Sequence, residues 1–278
     1  MARRMRTRLL AGLGAIAAAG CAHAPDSAAD RIGRLYTYVR SNSDGSEAET
    51  IHVYRASRTR IEVTKMRSRC TNAAFVTAEL DLVAGQATRL TGGRLEPDGG
   101  HRDFAILTHD RRERRIRARV EAPGGILQLS SPVPDEPWHL YDFDLASLTV
   151  TAQYRADPRR DFSFGLPLVW LGGDPADALR YLGRADARFA GEEDHGGRRA
   201  LRFEVGGPAF GGRGGPIWFD AAEGHVLAAR FGIPNHAEYR DFALRLTGVR
   251  DAGPDQWRRL LSAHFEGCPA DEAPAGSR

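Results

Sequence analysis

From Leu35 onward the apolar residues of this chain recur mainly at every second position. Leu35, Thr37 and Val39 alternate with Tyr36, Tyr38 and Arg40, and Asp44-Gly45 then offers a hairpin turn into Ile51 and Val53. Ile61 and Val63 alternate with Arg60 and Glu62, and Val76, Ala78 and Leu80 with Thr77, Glu79 and Asp81. Ile116, Ala118 and Val120 face one way, with Arg115, Arg117 and Arg119 the other. The same period returns at Leu201, Phe203 and Val205 and at Phe242, Leu244 and Leu246. Trp218-Phe219 and Val226-Leu227 flank a longer hairpin loop from Asp220 to Gly224. The pattern predicts about a dozen short strands, each with one apolar and one polar face, as in antiparallel sheets with one wet side.

Helical periodicity is sparse. Asp142 to Val150 and Pro175 to Gly183 could each form about two turns. Asp255 to Phe265 is the clearest helix, with Trp257, Leu260, Leu261 and His264 at i, i+3, i+4 and i+7. A long meander with few helices predicts a mainly β fold. Its antiparallel strands would form a strongly curved sheet or barrel, with short helices at the mouth or on the concave side; a two-sheet β-sandwich is the alternative. Residues 155–161 (RADPRRD) are the one tempting internal boundary, and it is not taken. Residues 33–268 therefore read as a single β-rich domain, and 269–278 as a disordered tail.

The first twenty residues have a different character. Arg3, Arg4, Arg6 and Arg8 form a positive segment, Leu9 to Ala19 is apolar, and Ala18-Ala19-Gly20 supplies the small residues a signal peptidase requires. The run is too short to span a bilayer, which needs about 20 apolar residues. Ala18-Ala19-Gly20-Cys21 resembles the lipobox of bacterial lipoproteins, with Ala18 where leucine is usual. The resemblance implies cleavage after residue 20, lipid on Cys21 and membrane anchoring through it. Ala22 stands where an aspartate would signal inner-membrane retention, so the resemblance implies an outer-membrane anchor facing the periplasm. Residues 21–32 then form a flexible tether.

Composition fits that reading. With 42% apolar and 27% charged residues, the chain is neither intrinsically disordered nor a polytopic membrane protein. The formal charge of +3 belongs to the leader: removing its four arginines from 39 basic residues leaves 35 against 36 acidic ones. Lys65 is the only lysine. So lopsided a ratio reads as a GC-rich codon habit, and no nucleic-acid partner is expected. With lipid on Cys21, Cys70 and Cys268 remain as an even pair in an oxidising compartment, where a disulfide is expected.

Candidate chemistry is thin. Gly206 to Gly215 is rich in glycine but runs into the strand-like Pro216-Ile217-Trp218-Phe219, without the helix or G-K-[ST] of a phosphate cradle, so a hairpin loop is expected. No serine sits in G-x-S-x-G and no H-E-x-x-H occurs. His225, His236 and Glu238, with Asp241 nearby, could build a two-histidine, one-carboxylate metal site, but a solvated loop histidine is the simpler reading of His236 and no metal is expected. Asp142 and Asp144 follow Trp138-His139 and read as acids at a helix start. The run from Arg111 to Arg119 could meet lipid phosphates but reads as the wet face of a strand. Phe162, Phe164, Trp170, Phe210, Trp218, Phe219 and Phe231 either fill a core or line an apolar cavity. Trp170, Phe210, Trp218 and Phe219 are the candidate ligand-binding residues.

The expectation is a non-enzymatic cell-envelope lipoprotein without a cofactor, binding a lipid or other apolar ligand on a concave sheet. This architecture is similar in class to the half-barrel of the outer-membrane lipoprotein-localisation carriers: lipidated, periplasmic and β-rich, with no diagnostic motif matched. A protein-interaction or assembly module of the outer membrane is the alternative. An enzyme is the third reading, and it requires His139, Asp142 and His236 to converge.

Overall fold

A computed structural model describes residues 31–122, 124–170 and 174–269. The expected leader, Cys21, most of the expected tether and nearly all of the expected tail lie outside the described residues. The first eight strands are β1 (Arg34–Ser41), β2 (Glu49–Arg55), β3 (Arg60–Met66), β4 (Ala74–Asp81), β5 (Gln86–Leu95), β6 (His101–Asp110), β7 (Arg115–Ala122) and β8 (Gly125–Pro132). A buried segment follows, with a 3₁₀ turn at Tyr141–Phe143, helix α1 (Ala146–Thr151) and a second 3₁₀ turn at Ala152–Tyr154. Strands β9 (Phe162–Val169), β10 (Leu179–His195), β11 (Arg198–Gly206), β12 (Gly215–Asp220), β13 (Val226–Phe231) and β14 (Phe242–Asp251) complete the sheet, and α2 (Pro254–Ser262) comes last.

All fourteen strands belong to one antiparallel sheet in the order β8-β7-β6-β5-β4-β3-β2-β1-β14-β13-β12-β11-β10-β9, curled into a nearly closed barrel. It is the curved sheet of the sequence reading; the sandwich alternative does not form. The two edges, β8 and β9, are bridged by a strap. Gly165 in β9 donates to the Pro137 carbonyl (2.8 Å), His139 donates to the Gly165 carbonyl (2.9 Å), and Trp138 pairs with Gly165 in parallel. Only glycine fits at 165, because a Cβ there would lie 2.4 Å from the Asp135 carbonyl oxygen.

After the strap, residues 140–154 run through the inside of the barrel. Tyr141, Phe143, Leu145, Leu148 and Val150 pack there against Tyr36, Tyr38, Val53, Val63, Phe203 and Phe242 from the wall. The concave side is therefore filled by the chain itself. On the outer face α2 lays Trp257 and Leu261, followed by Phe265, over Leu35, Tyr54, Phe75 and Leu95. The Trp257 ring stacks on Tyr54 at 5.1 Å, and its Nε1 donates to Glu62 (2.6 Å). Cys70, in the β3–β4 loop, and Cys268 form a disulfide beside this helix. Strands β1–β4 thus bury both faces, where alternation alone predicts one wet side.

Two sequence expectations need correction. Pro175 to Gly183 is not a helix: a single 3₁₀ turn at Pro175–Asp177 leads straight into β10, where Leu179 and Tyr181 pair with Val169 and Pro167. Asp142 to Val150 is interrupted by left-handed backbone at Asp144 and Leu145, so α1 begins only at Ala146.

The antiparallel register also gives the barrel two distinct ends. β1 starts at the near end, where β14 finishes, with Arg34 opposite Asp251. The β9–β10, β11–β12 and β13–β14 connections consequently all gather at the far end.

Candidate functional site

At the far mouth the ends of β9 and β10 and the β11–β12 and β13–β14 connections line a cleft of 340 Å³ that opens to solvent. Its walls are Leu168 of β9 and Trp170 just after it, Leu182 of β10, Ala209 and Phe210 of the glycine-rich loop, and Ile233 and Pro234 beyond β13. Two guanidinium groups, Arg180 and Arg213, also line it. The volume sits at the small end of the roughly 300–1,000 Å³ usual for ligand pockets, and the mix of apolar wall and few polar groups is typical of them.

The local sequence explains the shape. Gly207 has a φ of +93° and lies against Arg184 and Asp186, where a Cβ would meet the Arg184 carbonyl oxygen at 2.8 Å, so the loop can turn sharply into the 3₁₀ turn Pro208–Phe210. That turn drives Phe210 inward, against Phe231 at 4.9 Å and edge-on to Tyr141 at 6.2 Å. The glycine-rich stretch is thus a structured cleft wall.

Of the four candidate ligand residues, Trp170 and Phe210 meet in this cleft, and Trp218 and Phe219 do not. Phe219 is sealed in the core against Phe203. Trp218, its neighbour along the strand, points to the opposite face, where its ring lies 4.5 Å from His195 and its Nε1 donates to Glu193 (2.6 Å). Phe162, Phe164 and Phe231 pack in or against the filled core.

Just inside the far mouth lies a buried polar network that fastens the inner segment to the wall. Asp144 pairs with Lys65 of β3 and lies 3.5 Å from Arg40 Nε of β1; all three side chains are buried. Asn235 donates to Asp144 Oδ1 (2.7 Å) and to the Tyr141 carbonyl (2.9 Å), and accepts from Arg40. Lys65 also donates to the Asp142 carbonyl, and the Tyr141 hydroxyl donates to the Ile233 carbonyl (2.8 Å). Burial would push the Asp144 carboxyl up, but Lys65 and Arg40 outweigh it and hold its pKa below the ordinary carboxylate value. Burial drives the Asp142 carboxyl up to about 6, although its Oδ1 accepts from the Val169 amide (3.0 Å).

His139, Asp142 and His236 do not form an acid–base group. His139 is packed against Phe164 and bonded to Ser147 (3.0 Å), and burial lowers its pKa to about 3. His236 lies near Lys65 and Asp144, and burial first and then Lys65 bring it down to about 4. His225 and His236 flank β13 at its opposite ends, so the two-histidine arrangement cannot close. Among the described residues no three His, Cys, Asp or Glu side chains are grouped to hold a metal. Glu238 pairs with Arg67, and Asp241 accepts from the Ser43 amide.

The basic run is a solvated face. Arg117 pairs with Glu113, Arg119 with Glu121 (2.9 Å) and Arg111 with Asp81 (3.3 Å).

No protein-family model matches the sequence, and no curated protein matches it. Among solved structures, a domain from Vibrio parahaemolyticus, provisionally described as an outer membrane lipoprotein-sorting protein domain, aligns over 85% of this chain and 93% of that one. The identity is 10% and the TM-score 0.25, and a likeness at that level carries no argument.

The sequence reading missed Arg40, Lys65, Asn235, Arg180 and Arg213. Two of them carried a signal. Lys65 stands alone among arginines, and Arg213 lies inside the glycine-rich stretch.

Proposed function

We propose that this chain is a non-enzymatic bacterial cell-envelope lipoprotein, anchored to the outer membrane through lipid on Cys21 and facing the periplasm, which binds a lipid or other apolar ligand. The observation that carries the binding reading is the far-mouth cleft, where Trp170 and Phe210 meet Leu168, Leu182 and Ile233 around open volume. The site is the mouth of the barrel and not its concave interior, which Tyr141 to Tyr154 occupies. A wall of this kind suits an alkyl chain, for which burial of each CH₂ contributes about 0.8 kcal/mol.

Native mass spectrometry tests this on the chain from residue 21 onward, exported behind a non-lipoprotein leader with Cys21→Ser and purified without detergent. A reproducible added mass matching a fatty acid or phospholipid is expected, and Trp170→Ala should remove it. A bare polypeptide that also takes up no lipid from mixed micelles counts against the reading.

A second reading, a protein-interaction module, draws on the outer face of β6 to β8. There Phe104 is 39% exposed and Ile126 56%, on either side of Glu121. In-cell crosslinking from position 126 tests it, and a partner captured there but lost with Phe104→Asp and Ile126→Asp would favour it.

A further inference from the structure

We infer that the ligand of the far-mouth cleft is a single-chain amphiphile with an anionic head, its carboxylate or phosphate held by Arg180 and Arg213 and its alkyl chain against Trp170 and Phe210. The inference rests on the cleft-binding reading above and specifies what it takes. Three observations carry it.

The two cations line the same small volume as the apolar wall. A purely apolar ligand has no use for them. Among the described residues, neither pairs with a carboxylate. Arg180 is steered by the backbone and an aromatic face instead: its Nε donates to the Asp177 carbonyl (2.9 Å), and its guanidinium lies 5.9 Å from the centre of the Trp170 ring. Arg213 reaches the Gly232 carbonyl (3.5 Å) with Nη1. In both residues the remaining guanidinium donors are left for an oxyanion, which such groups bind through paired charge-assisted hydrogen bonds.

The arrangement of polarity within the cleft follows the same logic. Both arginines are exposed, while Leu168, Ala209, Phe210 and Ile233 are buried, so the head has a place at the rim and the chain a place below it. Finally, 340 Å³ is on the scale of one alkyl chain of moderate length.

The test uses three ligands that share a twelve-carbon chain, namely dodecanoate, dodecyl phosphate and dodecan-1-ol. They are titrated into the Cys21→Ser protein while tryptophan fluorescence and calorimetric heat are followed. The expected result is binding of at least one anion about tenfold tighter than the alcohol. Arg180→Gln with Arg213→Gln should remove that advantage and leave alcohol binding within about twofold. A preference between the two anions distinguishes a fatty acid from a lipid phosphate as the source. Equal binding of alcohol and anions, or an anion preference that survives both substitutions, overturns the anionic-head inference and leaves the apolar cleft standing. If none of the three binds a protein whose melting curve is intact, the cleft reading itself fails and the inference with it.

Discussion

Lys65, the only lysine of the chain, and Asp144 form an ion pair closed inside the barrel wall. The pair joins β3 to the segment that fills the barrel, at a point where Asp144 and Leu145 both adopt left-handed backbone conformations with φ of 51° and 60°. Two successive non-glycine residues in that region persist only when their surroundings hold them. Lys65, Arg40 and Asn235 supply that hold.

Removing one member of this group should be costly. Asp144→Ala leaves Lys65 and Arg40 buried without their counter-charge, and a loss of about 3–5 kcal/mol is expected from urea unfolding. Lys65→Met combined with Asp144→Leu should cost less than the sum of the single changes, since no charge of the pair is then stranded. Additive losses would mean that the two residues act independently.

The seam between β8 and β9 depends on Gly165. Gly165→Ala brings a methyl group against the Asp135 carbonyl and should cost about 1–3 kcal/mol by overpacking. Hydrogen exchange should accelerate at the Gly165 and His139 amides before it does at β2 or β3. Uniform exchange across the sheet would contradict a local seam.

Acid should destabilise the protein well above the range in which ordinary carboxylates titrate. Burial lowers His139 to about 3 and His52, His225 and His236 to about 4, so each stays neutral when folded and takes up a proton on unfolding below its ordinary value of about 6.5. The unfolded chain then binds more protons, and stability falls as pH drops from 6.5 towards 4. Asp142 opposes this. Its raised pKa keeps a proton on the folded form between about 4 and 6, so its contribution declines as pH rises. Four protons against one leave a net slope on the order of 4 kcal/mol per pH unit near pH 5. A urea midpoint equal at pH 7 and pH 5 would defeat the prediction.

Reduction of Cys70–Cys268, whose partners lie 198 residues apart, should remove up to about 5 kcal/mol by chain-entropy reasoning. For a domain of this size the melting temperature should fall on the order of 10 °C. An unchanged melting curve after confirmed reduction would show that α2 holds its place by packing alone.

The sequence displayed the wall of this barrel and concealed its filling. Strands such as β7 and β14 alternate because one side meets the core and the other meets water, and α2 shows its Trp257–Leu261 stripe because it lies on a surface. Residues 143–152 are buried on every side, so no period distinguishes an inner face from an outer one. Arg40 shares a face with Tyr36 and Tyr38, yet the carboxylate that makes its burial tolerable is more than a hundred residues away. Trp218 was legible by the rule already in use, since a residue next to the inward Phe219 on a strand must point outward. Half the cleft was visible as aromatic residues. Its two arginines were hidden among 36 others, because only the far-end turns bring Arg180 and Arg213 to one cleft.

The strand order has a consequence for how the protein assembles. Strands β1 to β8 pair in sequence order, as do β9 to β14, and the two runs pair strand to strand only where β1 meets β14. As the chain is made from its N-terminus, the first run can zip early while β1 remains an open edge, a template for mispairing. That edge is covered only when the residues around Phe242 to Asp251 arrive, and Cys268 follows them almost at once. Residues 242–268 thus cap the exposed edge, lay α2 over the outer face and deliver the second cysteine, so their removal should do more damage than their number suggests.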